Sequence, residues 1–197
     1  TGTVLNIDCL KEILETCEAV GTVLLLDEAY HPFYEWSAVP WTKNSRNLIV
    51  ARTCAKAWGV AGLRIGHMVA HPETISLLHK MRPMYETSTL AIEFMSRMLD
   101  HTADMAQSVA RVRAGKNFFC EAMQALGFKV LLTEGNFIHV AFGVQSRAVH
   151  AALTGHVLYR ASFDHPSLAG YTRFSVAPET EMAKVVNLIK QSVEKNT

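Results

Sequence analysis

Near the start of the chain apolar residues recur at helical spacing. Ile7, Leu10, Ile13, Leu14 and Cys17 fall on one side, with Asp8, Lys11, Glu12 and Glu15 on the other. The pattern predicts a helix over 7–20 with Asp8 as its cap, ended by Gly21. Residues 22–26 then form an unbroken branched and apolar run closed by Asp27. Such a run predicts a parallel strand buried on both faces, and functional residues gather just beyond the ends of such strands. Further strands are predicted at 47–51 and 66–70, joined by polar or glycine-bearing connections. Together these elements describe an α/β core.

After Pro72 the texture changes. Residues 73–80 suit a short helix, Pro83 interrupts, and 88–126 holds helical periodicity with few breakers, as one long or bent helix does. Beyond Gly127 the predicted order is strand 129–132, strand 137–142, helix 146–153, strand 157–161, strand 173–176 and a last helix from Glu179. Strands mixed with helices in this way make a small α+β layer. The domain boundary is expected within the long helix, and no repeat or linker-like tract is present.

Composition narrows the function classes. The chain has 197 residues, of which 49% are hydrophobic and 19% charged, enough to bury a core. Nineteen basic against eighteen acidic residues leave a formal net charge of +1. That balance builds no broad field for nucleic acid or an anionic membrane, so any anion site is local. Cys9, Cys17, Cys54 and Cys120 have neither zinc spacing nor disulfide density and read as reduced, buried thiols. No metal site is expected, and no apolar run is long enough to span a bilayer. The first residue is Thr1, with no signal-peptide pattern after it, so the natural start is expected upstream.

The chemically informative segment is Arg52-Thr-Cys-Ala-Lys56-Ala-Trp-Gly-Val-Ala-Gly-Leu-Arg64-Ile-Gly66. A lone lysine is ordinarily a solvated surface group. Lys56, however, follows a predicted strand, has small and apolar neighbours, and precedes three glycines that permit close backbone approach. These surroundings suit an amine that acts as an imine-forming nucleophile. Upstream, Leu26-Asp27-Glu28-Ala29-Tyr30 closes the first predicted strand. Near the C-terminus, Val157-Leu-Tyr-Arg160 and Tyr171-Thr-Arg173-Phe-Ser-Val put two arginines on successive predicted strands.

These segments resemble fold-type I pyridoxal-phosphate aminotransferases, and within them the histidinol-phosphate aminotransferase group. The group's lysine pattern is Thr-x-Ser-Lys-Ala-x-Gly-Leu-Ala-Gly-Leu-Arg-x-Gly. The resemblance implies part of the large, mostly parallel-sheet domain over 1–85, a connecting helix over 86–126, and a small α+β C-terminal domain over 127–197. It implies that Lys56 is the Schiff-base lysine and that Thr53 and Arg64 contact the cofactor phosphate. It further implies that Asp27 faces the pyridine nitrogen and keeps it protonated, while Tyr30 hydrogen-bonds the ring oxygen. Arg160 and Arg173 correspond to the substrate's anion site, and Arg173 also to the arginine that grips a carboxylate. Ala55 departs from the pattern's serine, so one phosphate hydrogen bond is expected to be absent. Glu28 is read as supporting its turn. Met81-Arg-Pro-Met-Tyr85 and Gly135-Asn136-Phe137 also resemble family segments, with packing roles.

The implied activity is a cytoplasmic, homodimeric aminotransferase working by ping-pong transfer. Its substrates would be glutamate or 2-oxoglutarate and a phosphorylated amino alcohol or amino acid. A threonine-phosphate decarboxylase shares the same motifs and stands as the alternative, as does a non-catalytic fragment of such an enzyme. Gly59, Gly62 and Gly66 do not have the GxGxxG spacing of a dinucleotide-binding turn. Thr1-Gly2-Thr3 resembles the end of the family's Asn-Pro-Thr-Gly turn. The preceding half, with the turn asparagine, the ring-stacking aromatic residue and the phosphate-cradling helix start, is therefore expected to be absent from this chain, whether carried by another chain or not.

Overall fold

The computed structural model describes residues 2–84 and 86–195. Thr1 of the opening turn and Tyr85 of the 81–85 segment lie outside the described residues. The chain divides into two compact units, Val4–Ala106 and the residues from Gln107 onward with the first few of the chain. The division falls inside a helix.

In the first unit, α1 (Ile7–Ala19) is capped by Asn6, whose side chain accepts from the Asp8 amide. Asp8 is thus a first-turn residue rather than the expected cap. Asn6 alone has the extended backbone that lets a side-chain oxygen reach the free amides. The helix buries Leu10 and Leu14 against β1 (Leu24–Asp27) and β2 (Leu48–Thr53), in a core with Ala38, Leu48 and Val50. Leu24, Leu26, Trp36, Val39 and Trp41 close around it, the two tryptophans meeting edge to face at 5.1 Å. The long 28–47 connection contains a single short 3-10 helix, Val39–Lys43.

β1 and β2 are parallel, with Leu24 opposite Leu48 and Asp27 opposite Ala51. β3 (Gly66–Ala70) pairs antiparallel with β2, Thr53 opposite Gly66, and so departs from a purely parallel sheet. The 54–65 connection holds only a 3-10 turn, Ala61–Leu63, and has no crossover helix to carry a parallel return. Gly66 has no side chain for a physical reason: a Cβ there would lie 2.6 Å from the Arg52 carbonyl oxygen. Alternation sends Leu24, Leu26, Leu48 and Val50 into the core and Leu25, Asp27, Ala51, Thr53 and Met68 to the opposite face. That face is open: Leu25 is 59% exposed, which corrects the expectation of a strand buried on both sides. Ile49 on the same face is buried, so the exposure is at Leu25 and Met68.

The unit continues through α2 (Pro72–Lys80) and α3 (Thr89–Met98). A 3-10 turn at Leu99–His101 separates α3 from α4 (Thr102–Ala125), so the long periodic stretch is two helices. Among the described residues no helix is long and apolar enough to cross a membrane.

The second unit carries an antiparallel sheet in the order β4 (Lys129–Leu131), β5 (Phe137–Ala141), β6 (Tyr171–Ser175). Its core joins Ile138, Val140 and Phe174 to Phe119 and Met123 of α4, Val149 and Leu153 of α5 (Ser146–Leu153), and Met182, Val186 and Ile189 of α6 (Glu179–Glu194). Gly115 lets α4 approach the Ala177 carbonyl so closely that any Cβ would collide with it.

Residues 157–161 do not form the expected strand. Only Arg160 pairs, each of Arg160 and Arg173 donating its amide to the other's carbonyl at 3.0 and 2.9 Å. Val157 and Tyr159 pack against the core while Leu158 and Arg160 are exposed, so the alternation is present, but the backbone meets β6 at Arg160 alone and no ladder forms. Its anchors are Tyr159, whose hydroxyl lies 3.2 Å from His150 Nδ1, and the Ala161 carbonyl, which accepts from Thr172 Oγ1. Of the cysteines, Cys54 and Cys120 are buried, Cys17 is half-buried and Cys9 is exposed on the outer side of α1.

Candidate functional site

In the first unit the candidate residues gather at the C-terminal ends of β1 and β2. Asp27 and Thr53 share the open sheet face, on adjacent strands and two residues out of register. Strand geometry puts their backbones ~8 Å apart. Each side chain fixes its own turn: Asp27 Oδ1 accepts from the Ala29 amide at 2.8 Å, and Thr53 Oγ1 from the Ala55 amide at 3.1 Å. The second Asp27 oxygen accepts no hydrogen bond among the described residues. With alanine at position 55, no hydroxyl stands beside Thr53 on the lysine turn.

Lys56 lies in that turn and is exposed. Its ammonium sits 5.5 Å from the centre of the Tyr30 ring and has no ion-pair or hydrogen-bond partner among the described residues. Arg64 ends the 3-10 turn in the left-handed conformation, φ 52°, the only described non-glycine residue with positive φ. An L-residue is held there at a cost of about 1 kcal/mol or more, a strain that recurs at ligand sites. Its Nη1 donates to the Ala61 carbonyl at 3.3 Å, folding the guanidinium back toward the lysine loop. The structure thus brings together Asp27, Tyr30, Thr53 and Lys56 at one end of the sheet, with Arg64 on the loop that returns to β3.

Sequence reasoning missed what ties these pieces together. Glu28 accepts from Arg52 Nε at 3.1 Å and Nη2 at 2.9 Å, from Ser37 Oγ at 2.7 Å and from the Ala38 amide at 2.7 Å. Arg52 Nη2 also donates to Ser37 Oγ at 2.6 Å. The pair clamps the turn after Asp27 to the strand end before Lys56. Burial first, then the Arg52 charge, push both His31 and His67 below the ordinary histidine range, Glu28 partly opposing this for His31. Arg52 stood inside the segment that drew attention to Lys56, but its partner lies in another element, so periodicity gave no signal.

In the second unit Arg160 and Arg173 sit directly opposite each other and so project from one face. Neither is in an ion pair among the described residues. Arg160 Nε donates to the Ser162 carbonyl, and its guanidinium lies 4.3 Å from the Phe163 ring centre. Arg173 lies 5.4 Å from the Phe137 ring centre. Two uncompensated guanidiniums backed by aromatic rings suit an anion. No cluster of three potential metal ligands occurs among the described residues.

Comparison with known proteins identifies relatives of the chain. The sequence profile described as aminotransferase class I and II matches residues 1–191. Histidinol-phosphate aminotransferase 1 of Cupriavidus pinatubonensis is 36% identical over 147 residues, 73% of this chain and 39% of that protein. Histidinol-phosphate aminotransferase 2 of Bordetella bronchiseptica is 33% identical, over 88% of this chain and 48% of that protein. Among solved structures, a putative histidinol-phosphate aminotransferase from Erwinia carotovora atroseptica superposes with a TM-score of 0.87 at 23% identity, covering all of this chain and 57% of that one. The Sinorhizobium meliloti histidinol-phosphate aminotransferase, solved with pyridoxal-5'-phosphate, gives 0.78 at 22% identity over 95% of this chain and 53% of that one. The chain spans about half the length of these relatives.

Proposed function

Since the chain belongs to the class I and II aminotransferases, we propose that it carries the cofactor-lysine portion of a pyridoxal-phosphate-dependent transaminase acting on a phosphorylated, histidinol-phosphate-like amine. The observation that carries this reading is the set at the ends of β1 and β2. An unpartnered lysine stands beside Tyr30, and Asp27 and Thr53 share one open face at a separation fitting a pyridine ring that bears a phosphate ester.

Asp27 would meet the pyridine nitrogen with its free oxygen, and its charge favours the protonated ring. Thr53 and Arg64 would hold the phosphate, Arg64 through a charge-assisted contact, and Tyr30 would donate to the ring oxygen. When bound, pyridoxal phosphate supplies an electron sink that makes the substrate's α-proton removable. Lys56 would hold the cofactor through its amine and, once that amine is free, would carry a proton to and from the substrate carbon. Arg173 would grip a carboxylate and, with Arg160, a phosphate monoester, so that glutamate and the phosphorylated partner alternate in one site. A homodimer remains part of the proposal, following the family resemblance.

The test is covalent trapping. Incubation with pyridoxal phosphate, borohydride reduction and peptide mapping should place the adduct on Lys56, and Lys56→Ala should lose both adduct and transamination. An adduct that persists in the variant would overturn the assignment. Stoichiometric carbon dioxide release from a phosphorylated amino acid would replace transamination by decarboxylation.

A further inference from the structure

The arginine pair has a third neighbour in the same row. On β5, His139 lies directly opposite Arg173, which in turn lies directly opposite Arg160. Residues opposite one another in an antiparallel sheet project from the same face, so the imidazole and the two guanidiniums stand side by side. The Arg173 amide and carbonyl both point to Arg160, which makes His139 and Arg173 a non-hydrogen-bonded pair. In such pairs the Cα atoms approach to ~4.5 Å and side chains lie closest.

His139 is only 1% exposed, and its Nδ1 is a buried side-chain atom with no hydrogen-bond partner among the described residues. An orphan of this kind costs stability and calls for a reason. Rings enclose it: Phe137 at 5.5 Å, Phe163 at 5.4 Å and Tyr171 at 6.4 Å between centres. Two of these rings are shared, since Phe163 also backs Arg160 and Phe137 also backs Arg173. The imidazole therefore shares its ring neighbours with the two guanidiniums, and the three nitrogen-bearing side chains belong to one face of the sheet.

We propose that His139 is the third binding residue of this anion site, taking up a proton when a dianion such as a phosphate monoester seats on Arg160 and Arg173. The inference rests on the proposed anion-binding role of the two arginines and extends it to a residue whose only sequence signal is a polar side chain within an apolar strand. The charged group facing the imidazole is Arg173 on β6, with Arg160 one position further along the row on the paired segment. Tyr171 is the other titratable neighbour, and on β4 the opposing residue is the uncharged Leu131. Burial first, then the Arg173 charge, holds His139 below the ordinary histidine range. A bound dianion cancels that positive charge and restores the reason to protonate.

The probe is inorganic sulfate, which stays doubly charged across the range studied. The His139 ring is followed by NMR as pH is lowered from about 8.5 to about 5.5, with and without sulfate. Sulfate should raise the His139 midpoint by about one unit, and sulfate should bind about tenfold more tightly at the acid end, because the two effects are one linkage. His139→Asn and His139→Leu should flatten the pH dependence of sulfate binding. A His139 midpoint unmoved by bound sulfate overturns the proposal and leaves the arginine site standing. Sulfate binding insensitive to Arg160→Ala and Arg173→Ala, or absent from the unsubstituted protein, overturns both.

Discussion

Replacing Arg52 by methionine removes the guanidinium from Glu28 while keeping a linear side chain of similar reach. The Glu28 side chain is 9% exposed and that of Arg52 20%, so this is a largely desolvated pair rather than a surface one. Two of the four donors to the carboxylate, Arg52 Nε and Nη2, would be lost, while Ser37 Oγ and the Ala38 amide remain. Stranding one member of a buried pair costs about 3–5 kcal/mol, and with two donors retained the lower end, about 3 kcal/mol, is expected. All three tryptophans, Trp36, Trp41 and Trp58, fall in the Val4–Ala106 unit, so their fluorescence during urea unfolding reports on that unit. Arg46 and Glu73 provide the control: their side chains are 66% and 58% exposed, and Glu73→Gln should change stability by less than about 0.5 kcal/mol. If Arg52→Met cost no more than that control, the clamp would be no stronger than a surface contact. Its role in holding the Asp27 turn against the Lys56 loop would then fall.

Substrate choice should separate the two arginines of the second unit. Arg160→Ala should weaken a phosphorylated substrate more than glutamate and Arg173→Ala should weaken both, by about 1.5–3 kcal/mol or roughly ten- to hundredfold each; equal losses for Arg160→Ala in steady-state assays would contradict a phosphate role. Acid should destabilise the first unit through His31 and His67, whose folded-state pKa values lie below the ordinary value of 6.5. The unfolded chain takes up protons first, so their contribution is complete above about pH 6.5 and is lost as pH falls through the folded-state values. Tryptophan-monitored urea midpoints at about pH 7.5 and about pH 5 measure this, His67→Gln should lessen the drop, and identical midpoints would refute it.

What the sequence disclosed was local chemistry. Asp27, Tyr30, Thr53, Lys56 and Arg64 were singled out by short motifs, because a motif is a local signal, just as the left-handed Arg64 and the Thr53 turn need only a few residues to form. Strand burial was less legible. Residues 22–26 read as covered on both faces because an apolar run records affinity for a core and not whether a layer is there to supply one, and Leu25 remains exposed. The direction of β3 is likewise absent from its own residues and follows from a 54–65 connection that lacks a crossover helix. Residues 157–161 have strand composition, yet a strand needs a partner along its length and this one meets β6 at Arg160 alone. The least legible features were partnerships across elements, Glu28 with Arg52 and His139 with Arg173. Neither pair shares a turn or a helix face, so only pairing of the strands makes them neighbours. Those same pairings bear on what the readable residues can do: the lysine motif supplies the proposed nucleophile, whereas the distance between the Asp27 turn and the Lys56 loop depends on a clamp that the motif does not contain.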